Sequence, residues 1–424
     1  MLDIKFIREN KKTMKKACQA KNIEPQKIDG VLELDEKRRE LISQIESLRA
    51  EQKKLGKADI DQARELKNQQ APLQEQLTDI EQIYNDLMLT LPNIFSPDTP
   101  IAKDDSGNKE IEKWGEPTKF NFKPKSHVEL GESLDLIDFE RGVKTSGFRG
   151  YYLKNQAVLL HFAMLWHALL KMVSKGFTPM LTPTIVREFA LVGSGHFPFG
   201  KDEVYQIANP GKLADGEAIK DLVYLAGTSE PSLLSYFSDS VLAEKNLPIK
   251  VCGFSPCYRS EVGSYGKDAK GLYRLHEFMK VEQVVFCQAD IDVSNKWLDQ
   301  MCQYSREILE ELKLPYRVLQ ICTGDMGAGK YKMYDLETWM PSRNAYGETH
   351  SDSNLTDWQT RRLNIKYKTQ DGEKKFAYAL NNTVLASPRI LIAVLENYQQ
   401  KDGSILVPEV LQKYLPFKEI KSKK

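Results

Sequence analysis

Residues 257–282 read CYRSEVGSYGKDAKGLYRLHEFMKVE and give the clearest indication of the fold. It is typical of a strand, a loop and a second strand, because Gly263, Gly266 and Gly271 punctuate its middle. Strand side chains alternate between two faces, so residues two apart share a face. Arg259 and Glu261 therefore share a face of the first strand. The same face of the second strand carries Arg274, His276, Phe278, Lys280 and Glu282.

This charged face is poor material for a hydrophobic core. The alternate residues Leu275, Met279, Val281 and Val285 point to the opposite face, towards a core. One explanation of the charges is a solvated outer face with cross-strand ion pairs. We favour a polyanion-binding site, because the planar guanidinium of arginine suits phosphate and Phe278 can stack on a base.

Three segments resemble the signature motifs of the class II aminoacyl-tRNA synthetases. The match to motif 2 consists of Tyr258-Arg-Ser-Glu, a long loop and Arg274-x-x-x-Phe278. Residues 176–183, GFTPMLTP, resemble motif 1, the helix-then-strand element of the dimer. Motif 3 is matched by Ala386-Ser-Pro-Arg389 and residues 390–399. Here Ser and Pro suit a helix start, and Arg389 falls in the first turn, where an anion is also favoured.

Further matches place the resemblance in the seryl-tRNA synthetase family. They occur in one order along nearly the whole chain, which makes the set specific although each phrase alone means little. They are Met1-Leu-Asp, a heptad arm, Thr228-Ser-Glu230, Cys322-Thr-Gly-Asp-Met-Gly, Tyr334-Asp-Leu-Glu, Trp339-Met-Pro, Ser353-Asn and Leu395-Glu-Asn-Tyr-Gln.

The resemblance implies a two-step reaction, in which ATP and serine give seryl-adenylate and the seryl group then passes to the 3′ end of tRNA. It implies catalytic roles for Arg259 and Arg389, with Arg259 on the α-phosphate, Glu261 on the adenine edge and Phe278 stacked under adenine. Phosphoryl chemistry of this kind needs placed positive charge rather than a covalent nucleophile. The implied ATP-binding set is Arg259, Ser260, Glu261, Arg274, Phe278, Glu348, Thr349, His350, Ser351 and Arg389.

The implied serine-binding set is Thr228, Ser229, Glu230, Arg259, Glu282 and Thr383, with Lys280 and Asn381 as further candidates. Carboxylates suit the ammonium group and the hydroxyl of a small polar substrate. The resemblance also implies that Glu348 and Ser351 hold Mg²⁺ with ATP, and oxygen ligands suit that ion. No zinc is expected. The chain departs from the family pattern at Asn381-Asn-Thr-Val384 and at Gly347.

The chain before residue 91 predicts an antiparallel coiled-coil hairpin. Two heptad-like sets flank a turn at Gly56, and Pro72 predicts a kink or a break in the second helix. The sets are Leu34, Leu41, Ile45, Leu48 and Leu55, then Ala63, Leu66, Leu73, Leu77, Ile80, Leu87 and Leu91. From the pattern alone, dimerisation or spacing is the commoner role. The resemblance implies instead that the arm binds the long variable arm of tRNA, through Lys37, Arg38, Arg39, Arg49, Lys53, Lys54, Lys57, Arg64 and Lys67.

The predicted fold class is therefore α+β, with the N-terminal antiparallel coiled-coil helical hairpin ahead of a class II synthetase catalytic domain on a mixed, mainly antiparallel sheet. The predicted domains are the tRNA-binding arm at 1–95, a linker at 96–125 and the catalytic domain at 126–424. A helix is expected at 153–175. Strands are expected at 250–254, 280–286, 316–320, 332–339 and 363–368.

Length and composition suit a globular, cytoplasmic protein. The 424 residues carry a net charge of +1 and six cysteines, with no signal segment and no apolar run that predicts a membrane span. The resemblance implies a homodimer whose partners are L-serine, ATP and tRNA(Ser), with tRNA(Sec) as a second acceptor to test.

Two other classes of protein share parts of this pattern. One is an altered relative, either a ligase that loads a carrier protein or an inactive paralogue. The hairpin argues against the carrier-protein ligase, and retention of Arg259, Glu282 and Arg389 argues against the inactive paralogue. The other is a coiled-coil scaffold, which the charged sheet face argues against.

Overall fold

The computed structural model describes residues 1–55, 59–209, 211–212, 216–217, 219, 221–262 and 271–421. Within this range the chain forms two compact units, Met1–Ile94 and Phe95–Lys424. The predicted turn at Gly56, the basic residue Lys57 and the loop glycines Gly263 and Gly266 lie outside the described residues.

The first unit is helical. Its helices are α1 (Ile4–Glu9), α2 (Lys11–Ala20), α3 (Gln26–Lys54) and α4 (Ile60–Leu89). At ~1.5 Å per residue, the 29 residues of α3 span about 43 Å. Buried Leu41, Ile45 and Leu77 join α3 to α4. Arg38 pairs with Glu81 at 2.9 Å, whereas residues nearer the turn pair at smaller sequence separations. The antiparallel hairpin is confirmed.

Of the two alternatives predicted at Pro72, the break is wrong, because α4 runs through this residue without interruption, and the kink stays a prediction. Proline removes one backbone hydrogen bond from a helix and costs roughly 3 kcal/mol. Leu73 and Leu77, which follow it, pack against α3 and offset that cost. Helix α3 also begins before the heptad pattern does, since Ile28 and Val31 are buried in the first unit.

The second unit is built on an eight-stranded sheet. In sheet order its strands are β1 (Lys109–Trp114), β10 (Tyr316–Gln320), β11 (Lys332–Met340), β12 (Ala345–Asn354), β15 (Tyr378–Ala386), β9 (Glu277–Cys287), β8 (Ile249–Tyr258) and β4 (Thr178–Leu181). Every neighbouring pair is antiparallel except β4 and β8, which run parallel. The predicted mixed, mainly antiparallel sheet is confirmed.

Helices and short strands complete this unit. The helices are α5 (His127–Ser133), α6 (Phe139–Ser146), α7 (Gln156–Ser174), α8 (Glu188–Ser194), α9 (Glu230–Ser235), α10 (Ile291–Glu311), α11 (Trp358–Arg362) and α12 (Ser387–Asn397). The short strands are β2 (Ile137–Asp138), β3 (Tyr152–Leu153), β5 (Ile185–Arg187), β6 (Val223–Leu225), β7 (Val241–Ala243), β13 (Lys366–Lys368), β14 (Lys374–Phe376), β16 (Ile405–Leu406) and β17 (Glu419–Ile420).

The main core lies between the sheet and helices α7, α10 and α12. Leu275, Val281 and Val285 are buried in it, as the alternation of strand residues predicts. Phe278 and Lys280 instead line a cleft. The second strand begins only at Glu277, so Arg274 lies in the irregular segment before β9, from which it pairs with Glu261 of the cleft lining. One face of the sheet therefore packs against the main core, and the charged residues lie on the opposite face.

Two predictions about the second unit differ from the structure. The segment predicted as a linker contains β1, which pairs with β10 at the sheet edge. All six side chains of β1 are exposed, so no apolar alternation marked it as a strand. The strand predicted at 363–368 is reduced to β13, because Leu363 and Ile365 reach the core through a turn with Asn364 at φ 53°.

One helix among the described residues, α7, is long and apolar enough to cross a membrane by length and composition. Half of its apolar window is buried inside the protein. Core helices of soluble proteins pass the same test, so the finding is weak support for a membrane span.

Candidate active site

A cleft of about 470 Å³ lies on the charged face of the sheet. It is formed by the ends of β8 and β9, by β12 and β15, and by the start of α12. Its lining includes six of the ten predicted ATP-binding residues: Arg259, Glu261, Phe278, Glu348, Thr349 and Arg389. The rest of the lining consists of Leu272, Tyr273, Leu275, Lys280, Thr383, Ala386 and Pro388.

Arg259 follows the last residue of β8 and is held on several sides. Its Nε donates to the carbonyl oxygen of Gly227 at 3.3 Å, and its guanidinium lies 5.3 Å from the ring centroid of Phe278. Its backbone N–H donates to the carbonyl oxygen of His276 at 3.0 Å. These contacts hold the positive charge of Arg259 beside the face of the Phe278 ring.

Glu261 accepts contacts from two arginines. Oε2 lies 3.2 Å from Nη1 of Arg274 and 3.6 Å from Nη1 of Arg149. The backbone of Glu261 has a φ of 53°, which only surrounding contacts can maintain in a residue of this type. Arg149 comes from the loop after α6, and its side chain is 2% exposed. Sequence reasoning missed Arg149, because it lies far upstream of the motif that it supports.

Arg389 lies in the first turn of α12 and faces the same cleft. Its Nη1 donates to the carbonyl oxygen of Glu348 at 2.9 Å, and its guanidinium stacks 4.5 Å from the Tyr273 ring centroid. Burial opposes its charge, but the carboxylates of Glu348 and Glu261 outweigh burial and hold the pKa of Arg389 above its ordinary value. Tyr273, which sequence reasoning also missed, anchors Nε of the same guanidinium through its carbonyl oxygen.

The predicted Mg²⁺ ligands share one face because β12 contains a bulge. Leu336 pairs with His350 while the next residue of β11 pairs with Glu348, so Thr349 is an extra residue. Glu348 and Ser351 would otherwise face opposite ways. Asp335 lies opposite Ser351, and its buried Oδ1 has no hydrogen-bond partner in the described structure. This oxygen-only donor set fits Mg²⁺.

The same bulge turns His350 away from the cleft. Its Nε2 lies 3.1 Å from the carbonyl oxygen of Val384, and burial lowers the pKa of His350 to about 4. Thr349 reaches the cleft lining, but its hydroxyl is bonded to that of Thr338 at 2.7 Å. The His350 side chain therefore lies outside the lining of this cleft, and its predicted ATP contact stays a prediction.

Ser260 lies outside the lining of this cleft. Its hydroxyl donates to the carbonyl oxygen of Asp202 at 2.8 Å, which ties two loops together. The predicted ATP contact through the Ser260 side chain is not formed by this geometry.

A second cleft, of about 970 Å³, begins on the other side of Arg259. Glu230 lines it, and its Oε1 accepts from Asn381 Nδ2 at 2.8 Å and from Gln359 Nε2 at 2.6 Å. Thr228 caps the backbone N–H of Glu230 at 3.3 Å. Ser229 is buried and its hydroxyl donates to a backbone carbonyl oxygen, so its side chain has a structural role instead of the predicted one.

Lys280, Glu282 and Thr383 form a buried polar group. Lys280 is ion-paired with Glu282 and donates to the Thr383 hydroxyl at 3.3 Å. The Thr383 hydroxyl donates to Oε2 of Glu282 at 3.4 Å. Burial raises the pKa of Glu282, and Lys280 acts in the opposite direction. These side chains can read a small polar group. Among the described residues, no group of three or more His, Cys, Asp or Glu is placed to hold a metal ion.

Fold and site together define the core of a class II aminoacyl-tRNA synthetase. Residues 213–398 match the family model for the tRNA synthetase class II core domain (G, H, P, S and T). Residues 1–95 match the model for the seryl-tRNA synthetase N-terminal domain.

Full-length relatives narrow this class to one family. The chain is 40% identical to the serine–tRNA ligase of Rubrobacter xylanophilus, over 98% of both chains. Seryl-tRNA synthetase from Pyrococcus horikoshii, solved with ATP, superposes with a TM-score of 0.90 at 35% identity over 100% of both chains. Cytoplasmic serine–tRNA ligase from Naegleria fowleri, solved with AMP, gives 0.89 at 30% identity over 100% of this chain and 99% of that one. The chain belongs to the seryl-tRNA synthetase family, whose members are ATP-dependent aminoacyl-tRNA ligases.

Proposed function

We propose that this chain activates L-serine with ATP and transfers the seryl group to the 3′ end of tRNA(Ser). One observation carries the proposal: Arg259 lines both clefts. The first cleft has an aromatic ring and arginines for a nucleotide, and the second has carboxylates for an ammonium group. A mixed anhydride of an amino acid and AMP spans such a pair, with its phosphate at the shared arginine.

In the activation step, a carboxylate oxygen of serine attacks the α-phosphorus and pyrophosphate leaves. Arg259 stabilises the charge that develops on the α-phosphate, and Arg274 and Arg389 bind the outer phosphates. Phe278 stacks on adenine opposite Arg389, while Glu261 accepts a hydrogen bond from the exocyclic amine. Glu348 and Ser351, with Asp335 beside them, would hold Mg²⁺, which neutralises phosphate charge when bound.

Serine is distinguished by its hydroxyl and its ammonium group. Glu230 meets the ammonium group, beside Thr228, and the Glu282–Thr383 pair meets the hydroxyl. Alanine would leave these buried groups without a partner, and threonine would add a methyl group. The discrimination follows because a site built to bond a hydroxyl rejects the analogue without it by about 10⁴-fold or more.

Serine-dependent exchange of pyrophosphate into ATP tests this proposal. We expect exchange with serine, and kcat/KM for alanine lower on the order of 10⁴-fold. A carrier-protein ligase would exchange but fail to charge tRNA, and an inactive paralogue or a scaffold would not exchange. Equal exchange with alanine would mean that no hydroxyl is read, and it would overturn the serine assignment.

In the transfer step the end of the tRNA occupies the second cleft, beside the site for serine. Phe199, 43% exposed, lies against the buried Trp358 at this cleft and offers a stacking face for a terminal base. Because the reacting group is a terminal ribose, the proposal extends to tRNA(Sec), which a charging assay with that tRNA checks. The compartment is the cytoplasm, where these tRNAs are charged.

The proposal also includes a homodimer formed through residues 176–186 and the outer face of α7. That face carries an apolar stripe at helical spacing: Leu159, Phe162, Trp166, Leu170 and Val173, each 38–52% exposed. Leu181 at the end of β4 is 82% exposed. Contiguous exposed apolar surface of this kind is typical of a protein interface.

A further inference from the structure

A histidine that neither the motifs nor the activation step uses lies in the second cleft. Helix α8 ends at Ser194, and His196 comes two residues later. Gly195, which lies between them, has a φ of 85°. A side chain at Gly195 would stand 2.2 Å from the Trp358 ring, so only glycine allows the chain to turn here. The turn brings the His196 ring into the lining of the cleft with Glu230 and Arg259.

The hydrogen bonds around His196 assign its tautomer. Nδ1 lies 2.9 Å from the hydroxyl oxygen of Ser194, and that hydroxyl donates its single proton to the carbonyl oxygen of Leu191 at 3.2 Å. We assign the shared proton to Nδ1, because this assignment satisfies both contacts of the Ser194 hydroxyl. In the neutral ring the lone pair is then on Nε2, so His196 is an acceptor towards the cleft.

The charges around His196 favour that neutral form. Burial is the largest influence and lowers the pKa of His196 below its ordinary value of 6.5. Glu230 on α9 acts to raise the pKa, whereas Lys330, Arg259 and Lys280 act to lower it. Glu203, which is exposed, also lines this cleft. A neutral imidazole with an unprotonated Nε2 is thus present at neutral pH, ready to accept a proton.

We propose that His196 is the general base of the transfer step, taking the proton from the attacking hydroxyl of the terminal ribose of tRNA. In that step the O–H bond breaks, the ribose oxygen forms an ester bond to the seryl carbonyl carbon, and the bond from that carbon to the phosphate oxygen breaks. AMP leaves with the electron pair of the broken bond. Nε2 holds the proton as imidazolium and later returns it to solvent.

Two features select His196 over other groups. Glu230 already accepts from two side-chain amides and is assigned to the ammonium group of serine. Arg259 and Lys330 are cations and cannot accept a proton.

The inference rests on the proposed function. Pyrophosphate exchange tests the proposed function, and transfer to tRNA tests the role of His196. The test compares wild type with His196→Gln, which keeps a polar side chain but has no basic nitrogen. Pyrophosphate exchange with serine should stay within about twofold of wild type. Single-turnover transfer from preformed seryl-adenylate to tRNA(Ser) should fall about 10²-fold, the lower end of what a general base contributes. His167→Gln, the same change where an α7 imidazole pairs with Glu311, should alter neither step.

The pH profile of transfer distinguishes a base from a structural residue. Wild-type transfer should be constant at neutral pH and fall only at a pH below 6.5, where Nε2 protonates. The fall should be absent in His196→Gln. Unchanged transfer by His196→Gln, or a retained pH profile, would show that another group takes the proton and would overturn the inference. So would a parallel loss of exchange and transfer. Failure of the wild type to exchange with serine would instead refute the proposed function.

Discussion

At the scale of single residues, Arg259 has the largest predicted effect, because both clefts meet at its guanidinium. Arg259→Ala should lower kcat/KM in serine-dependent exchange by about 10²–10³, or ~3–4 kcal/mol of transition-state stabilisation. Its side chain lies outside the main core, so thermal unfolding should change little. Arg141→Ala is the matched control, since that arginine is 77% exposed on α6. Near-normal exchange by Arg259→Ala would remove this residue from the mechanism.

The residues that the sequence predicted correctly are those whose position follows from alternation along one strand. Phe278 and Lys280 were predicted to share a face, and both line the cleft. Arg149 could not be predicted, because its contact with Glu261 depends on how distant segments fold together. The direction of the His350 side chain could not be predicted, because a bulge cannot be read from residue types alone. His196 was left out for a related reason, since its role depends on a tautomer set by Ser194.

At the scale of elements, an amphipathic pattern was the deciding signal. The buried strands β8 and β9 and the heptad helices were predicted because one of their faces is apolar. The edge strand β1, Lys-Glu-Ile-Glu-Lys-Trp, has no buried face and was read as part of a linker. Pairing partners of an exposed edge are set by the neighbouring strand, here β10, and not by the edge sequence itself.

The helical hairpin formed by α3 and α4 leads to the prediction for tRNA selection. Several of its basic residues are occupied within the arm, since Lys37 pairs with Glu33 and Arg38 with Glu81. Exposed basic residues remain towards the turn: Lys53, Lys54, Arg64 and Lys67. Deleting residues 34–91 and closing the gap with a short linker should leave seryl-adenylate formation close to normal. Charging of tRNA should become very poor, because the basic side chains that we propose as partners of tRNA phosphates are then missing.

Changing the four exposed residues near the turn to glutamine separates charge from length. We expect a higher KM for tRNA and a weaker dependence on salt. The log–log slope of affinity against salt should fall by about 0.7–0.9 for each tRNA phosphate that is no longer neutralised. Lys12→Gln, which changes an exposed lysine of α2 outside the predicted tRNA-binding set, is the control. If the deletion variant charges tRNA at the usual tRNA concentration, the arm is a spacer and the proposed selection is wrong.

At the scale of the whole second unit, the two edges of the eight-stranded sheet differ in kind. The β1 edge carries charged side chains, which discourage pairing with another chain. The β4 edge, Thr-Pro-Met-Leu, is largely exposed and ends at Leu181. The apolar stripe of α7 belongs to the helix that leads into β4. An exposed apolar surface of this kind promotes aggregation of a monomer, whereas a twofold dimer buries it.

The purified protein should therefore have the mass of a dimer in light scattering at low micromolar concentration. Replacing Trp166 and Leu181 with glutamate buries two unpaired charges per subunit at the expected interface and should give a monomer. The matched control is Ile101→Glu, which places the same charge on a residue that is 61% exposed before β1 and should remain dimeric. If the double variant stays a dimer, the interface lies elsewhere. A monomeric wild type would contradict the proposed dimer. Full exchange activity of that monomer would show in addition that the active site does not depend on a second subunit.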